Sequence, residues 1–79
     1  MEKLHLNIVS PEKELFDGEV SSVKLPGSLG AFTILPEHAP IVSSLTAGMV
    51  TYVADKEYTL DIRGGFIEMS NGVVSVCVS

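Results

Sequence analysis

Apolar residues along this chain recur at every second position, not at the three- and four-residue spacing of a helix. Leu4, Leu6 and Ile8 alternate with His5 and Asn7, which predicts a strand with one buried side. The stretch FIEMSNGVVSVCVS predicts a hairpin turning at Asn71-Gly72, because that pair supplies the two positive φ angles a two-residue turn needs. Ser70 then faces Val73, Met69 faces Val74, Glu68 faces Ser75 and Ile67 faces Val76. One side of the ribbon is Ile67, Met69, Val74 and Val76. The other is mostly polar, with Glu68, Ser70, Val73 and Ser75, so register and polarity agree. A second hairpin, MVTYVADKEYTLDI, turns near Asp55-Lys56. It pairs Val53 with Tyr58, Thr51 with Leu60 and Met49 with Ile62, and leaves Tyr52–Thr59 and Val50–Asp61 on the other face. Asp-Lys is a poor two-residue turn, so this register is open to a slip by one.

Helix signals are weak throughout. SPEKELFDGEV offers a start at Pro11 that Asp17-Gly18 soon interrupts. Seven glycines and four prolines punctuate short segments, the spacing of an all-β domain. Pro26-Gly27 predicts a chain reversal between strands, and Gly64-Gly65 a tight strand-to-strand corner. Hairpins that each carry one apolar face bury those faces against one another, so the expected architecture is a β-sandwich.

The totals narrow the function classes. With 79 residues the chain forms one domain, residues 1–79, and such a domain buries only roughly 60% of its unfolded surface. A single cysteine, Cys77, allows neither an internal disulfide nor a Cys-based zinc site, and is expected to be a half-buried filler in a terminal strand. Apolar packing therefore carries the fold, and 46% hydrophobic residues make that feasible. The formal charge is −5, and the five basic residues (Lys3, Lys13, Lys24, Lys56, Arg63) are scattered. That disfavours nucleic acid and anionic lipid and favours a neutral or basic protein partner. MEKLHLNIVS has no long apolar core, and no run reaches the ~18 apolar residues of a membrane span, so the expected location is cytoplasmic.

Candidate chemistry is thin. His38 has Ser43 and Ser44 nearby and Asp17, Asp55 or Asp61 to recruit, yet no strained elbow surrounds a serine. His5 and His38 are the only imidazoles, and neither has a metal-ligand partner at close spacing. Gly27, Gly30, Gly64 and Gly65 lack the lysine and following helix of a phosphate loop. His38 itself, set between Pro36 and Pro40 in ILPEHAPIVSSL, has two readings. It is either a surface-turn residue or part of a loop stiffened for a partner, beside the neutral, mildly apolar IVSSL.

These residues carry a resemblance. IVSPEKELFDGEVSSVKLPGSLGAFTILPEHAPIVSSLTAGMV, continued by RGGFIEMSNGVVSV, is similar to the N-terminal domain of the epsilon subunits of F-type, proton-translocating ATP synthases, over about residues 5–78. The resemblance implies a flattened β-sandwich of about ten short, mostly antiparallel strands. It implies a non-catalytic place in the central-stalk rotor, binding the gamma subunit and resting on the ring of membrane c subunits, with no cofactor and no metal. Membrane contact would come only through that ring, at the cytoplasmic face of the bacterial inner membrane. Positions matching Ser10, His38 and Ser43 would lie toward gamma, and the turn Ser28, Leu29, Gly30 and Ala31 would face the c-ring. Leu29 and Ala31 stand where many relatives are polar, implying a more apolar contact. Glu37 replaces the usual glycine before His38, implying backbone there with no need of positive φ. The family's C-terminal helical hairpin is absent from these residues, through a natural short form or a cut. The reading from another class is a free-standing β-sandwich that binds a peptide or a sugar. Five aromatics and no tryptophan disfavour the sugar.

Overall fold

Alternation at period two becomes nine strands in a computed structural model that describes residues 3–79. They are β1 (Leu4–Val9), β2 (Glu14–Val20), β3 (Ser22–Gly27), β4 (Gly30–Ile34), β5 (Ile41–Leu45), β6 (Gly48–Val53), β7 (Glu57–Ile62), β8 (Gly65–Ser70) and β9 (Val73–Val78). One half runs β2-β1-β9-β8-β5, the other β4-β3-β6-β7, and the Gly27–Leu45 pair joins them. All pairings are antiparallel except β1 with β9. The joined sheet curls so that the two inner faces share one core. Leu4, Leu6, Ile8, Ile67, Met69, Val74 and Val76 from one half meet Val23, Leu25, Ile34, Val50 and Tyr52 from the other. The result is flattened, 32 × 24 × 18 Å. The segment after Pro11 bends and enters β2 without a helical turn.

The Asn71-Gly72 hairpin has the expected register, Ser70–Val73 through Ile67–Val76, with φ of 52° and 76° at the turn. Its apolar row is fully inside: Ile67, Met69, Val74 and Val76 are each at most 2% exposed.

The second hairpin differs from expectation by one residue. Val53 pairs with Glu57, Thr51 with Thr59 and Val50 with Leu60, around a three-residue loop, Ala54–Lys56. Asp55 and Lys56 do not take the positive φ angles that a two-residue turn requires, so the loop lengthens. The slip turns Val50 and Tyr52 inward and leaves Met49 half exposed. A hydrogen bond from the Tyr58 hydroxyl to Asp55 Oδ1 (2.8 Å) spans the loop.

Chain reversal near Pro26 also sits elsewhere than expected. Pro26 and Gly27 belong to β3, opposite Ala31 and Gly30, and Ser28-Leu29 makes the turn. Proline is tolerated here because β3 changes neighbour at this point, from β6 at Lys24 to β5 at Gly27. Its carbonyl still accepts from Thr46 N at 2.8 Å. Gly64-Gly65 is the expected corner between β7 and β8. At Gly65, φ is +149° and a Cβ would stand 2.0 Å from the Cys77 carbonyl oxygen, so only glycine fits.

Candidate partner-binding surfaces

The loop from β4 to β5 is built by its prolines. His38 N donates to the Leu35 carbonyl at 3.1 Å, closing a four-residue turn with Pro36 in second place and Glu37 in third. That arrangement matches a type II turn, whose third residue needs positive φ. Glu37 supplies it at φ 72°, contrary to the expectation that its side chain marks relaxed backbone. The turn's hydrogen bond and the fixed φ of Pro36 dictate the conformation, and holding a non-glycine residue there costs about 1 kcal/mol. His38 is half buried, and its Nδ1 lies 2.6 Å from the Ala39 carbonyl oxygen. A carbonyl only accepts, so Nδ1 carries the proton in this contact.

β5 follows. Ser43 stands opposite the buried Ile67, so it belongs to the inner row near the rim, and its hydroxyl donates to the Ser44 carbonyl at 3.1 Å. Ser44 faces outward and donates to Ser28 Oγ at 2.9 Å, tying β5 to the β3–β4 turn. One edge of β5 pairs fully with β8, but the other meets β3 only at Leu45. Its Ile41–Ser43 edge is therefore open among the described residues, in keeping with a docking edge.

Ser10 closes the turn after β1. Its N–H and its hydroxyl both donate to the Lys13 carbonyl, and its Oγ accepts from Lys13 N at 3.3 Å. Ser10 lies past the Val9–Cys77 end of the five-stranded half, whereas His38 precedes Ile41 at the Met69 end. These two residues and Ser43 do not touch one another. Ser10 follows β1, while His38 and Ser43 belong to β5 and its approach, with β9 and β8 between, so a partner that meets all three has to cross the strands diagonally.

Sequence alternation understated one further feature, the outer face of this half. Register places Ser44, Phe66, Cys77 and Val9 in one outward row, and Val42, Glu68, Ser75 and Asn7 in the next. Phe66 is 53% and Val42 75% exposed. Phe66 falls on the polar parity of its hairpin, which was the available signal.

Next to Ser44, which holds it through Ser28, the Ser28-Leu29 turn projects from the surface. Leu29 is fully exposed, and Gly30 and Ala31 are exposed with it. Ala31 faces Pro26, and continuing the β3–β6 register sets Met49 beside Pro26. An apolar strip thus runs from the turn onto the outer face.

His5 pairs with Asp17 across β1 and β2, Nε2 to Oδ1 2.5 Å, both side chains half exposed. Among the described residues no three His, Cys, Asp or Glu side chains cluster, and no pocket opens.

The family described as ATP synthase, Delta/Epsilon chain, beta-sandwich domain matches residues 3–79. The chain is similar to the ATP synthase epsilon chain of Leptospira borgpetersenii, 44% identical over 94% of this chain and 59% of that one. It is 48% identical to the ATP synthase epsilon chain of Caulobacter vibrioides over 87% of this chain and 81% of that one. The chain thus spans little more than half the length of the Leptospira relative. Its fold is like that of a chain in the Euglena gracilis mitochondrial ATP synthase (OSCP/F1/c-ring), with a TM-score of 0.90 at 21% identity over 96% of this chain and 50% of that chain.

Proposed function

The chain belongs to the β-sandwich domain family of ATP synthase delta/epsilon chains, and from that premise we propose that it is a non-catalytic subunit of the rotating central stalk of an F-type, proton-translocating ATP synthase. It joins the gamma subunit to the membrane c-ring and supports coupling of proton translocation to ATP synthesis. The family match over residues 3–79, spanning all nine strands, carries this reading. Ser10, His38 and Ser43 face gamma, which crosses the five-stranded half from β1 to β5. Ser28, Leu29, Gly30 and Ala31 face the c-ring. The chain itself holds no cofactor, touches no nucleic acid and meets the membrane only through that ring. Epsilon chains of Leptospira and Caulobacter as relatives favour the cytoplasmic face of a bacterial inner membrane.

The test is retention of gamma and c-ring from the same cell on the immobilised chain, with restoration of ATP-driven proton pumping in membranes stripped of the native subunit. Both subunits are expected on the chain, and His38→Ala and Ser43→Ala together should weaken gamma binding about tenfold with melting unchanged. A chain that retains neither subunit and restores no pumping overturns the proposal.

A further inference from the structure

The tip at Ser28-Leu29 is held by hydrogen bonds and not by packing. Leu29 is fully exposed, and a Cβ at Gly30 would meet nothing within 4 Å. The hairpin is tight only at its base, where a Cβ at Gly27 would stand 2.7 Å from the Gly30 carbonyl oxygen and from the Phe32 ring. Past that base the tip leans on β5. Ser28 N donates to the Ser44 carbonyl at 3.1 Å, and the Ser44 hydroxyl donates to Ser28 Oγ at 2.9 Å. Ser44 pairs with Phe66 in the β5–β8 ladder, so the anchor belongs to the five-stranded half and the tip to the other. Among the described residues the Ser44–Ser28 contact is the single hydrogen bond between side chains of the two halves.

We propose that Ser44 is a positioning residue for this turn: through Ser28 it sets the direction in which Leu29 points and keeps the tip ordered before a partner arrives. A tip without packing samples many conformations, and ordering it on docking costs affinity. Ser44 reaches both the amide and the hydroxyl of Ser28, so it fixes backbone and side chain together at the start of the turn. The hydroxyl bond is exposed, and water replaces it on unfolding, so it adds little to global stability. Its effect falls on local opening of the tip, which needs far less free energy than unfolding the domain. The c-ring-facing reading enters only in naming the ring as the partner whose retention reports a loosened tip.

The test compares the wild-type chain with Ser44→Ala, Ser28→Ala, their double variant and Ser44→Thr. Amide hydrogen exchange, melting and retention on the c-ring are measured for each. Ser44→Ala is expected to speed exchange of the Ser28 amide about threefold to fivefold and to weaken c-ring retention by a similar factor, with Tm unchanged. The Thr46 amide, bonded to the Pro26 carbonyl at the base of the hairpin, should exchange as in wild type. Ser28→Ala should weaken retention equally, and the double variant no more than either single, because each removes the same side-chain bond. Threonine keeps the hydroxyl and suits a strand, so Ser44→Thr should match wild type in exchange and retention. Unchanged Ser28 exchange in Ser44→Ala, or additive losses of retention in the double variant, overturns the role of Ser44 and leaves the c-ring reading standing. A wild-type chain that the c-ring does not retain overturns that reading, and Ser28 exchange alone then decides whether Ser44 holds the tip.

Discussion

The ring centroids of Phe16 and Tyr52 stand 4.5 Å apart, with the planes tilted by 45°. Phe16 lies on β2, the outermost strand of one half, and Tyr52 on β6 of the other. No backbone pairing joins these two strands, so the aromatic contact closes the sandwich on the side away from the Gly27–Leu45 junction. Phe16→Ala is expected to cost about 2–3 kcal/mol, the range for a large side chain lost from a partly buried site. Urea unfolding measures it. A loss under about 0.5 kcal/mol would mean that the two halves hold together without this contact.

Tyr52 is also stacked on Tyr58, 5.5 Å between centroids. Burial pushes the Tyr52 hydroxyl above its ordinary pKa of 10.0. Tyr58 moves the same way, first because its hydroxyl donates to Asp55, then through burial and the nearby Asp55 charge. A raised folded-state pKa means that the folded chain holds the proton more tightly than the unfolded chain. The stabilisation is then complete below the unfolded value and lost as pH climbs through the folded one. Tm should fall steeply above pH ~10, and the Tyr52→Phe, Tyr58→Phe double variant should show a shallower fall. An equal slope in the two proteins would assign the alkaline loss to other groups.

Gly65 and Gly72 both take positive φ, yet their surroundings differ. A Cβ at Gly65 would meet the Cys77 carbonyl oxygen at 2.0 Å, whereas one at Gly72 would meet nothing within 4 Å. Gly72→Ala is therefore expected to cost about 1 kcal/mol, the backbone term alone. Gly65→Ala has to push β8 off β9 and should lose about 3 kcal/mol or more, enough to leave little folded protein. Equal stability of the two variants would show that the β8–β9 ribbon yields at that corner.

Leu29 offers a test of the proposal that its turn faces the c-ring. Its side chain is fully exposed, so Leu29→Asp should change stability by less than about 0.5 kcal/mol. Retention on the c-ring should fall about tenfold, and wild-type retention should barely change with salt, because the strip through Ala31, Pro26 and Met49 is apolar. Strong weakening of wild-type retention by salt would argue for a charged contact instead.

Where the alternation was unambiguous, sequence was enough. In the Asn71-Gly72 ribbon, turn chemistry and polarity fixed the same register independently. In the β6–β7 hairpin they did not, because β6 is apolar at both parities: Met49, Thr51 and Val53 could have faced the core as readily as Val50 and Tyr52. Only the loop length chooses, and Asp55-Lys56 encodes that weakly. The turn at Ser28-Leu29 was hidden behind Pro26-Gly27, a stronger turn signal that β3 absorbs at its change of neighbour. Glu37 misled for a related reason. A side chain argues against positive φ on average, but the proline before it and the hydrogen bond across it decided the conformation. The spatial spread of Ser10, Ser43 and His38 needed the order of the strands, which no local pattern carries.

β9 lies between β1 and β8, so the strand made last of the nine sits inside the five-stranded half. Until it arrives, β1 has only β2 beside it, and Leu4, Leu6 and Ile8 have no inward neighbours across that gap. Contacts of such long sequence separation place folding in the millisecond-to-second range, not microseconds. During synthesis at about 5–20 residues per second the first hairpin waits several seconds for its cover. A nascent chain halted before Val73 thus lacks the strand that joins β1 to β8, and the five-stranded half stays in two pieces until that strand is made.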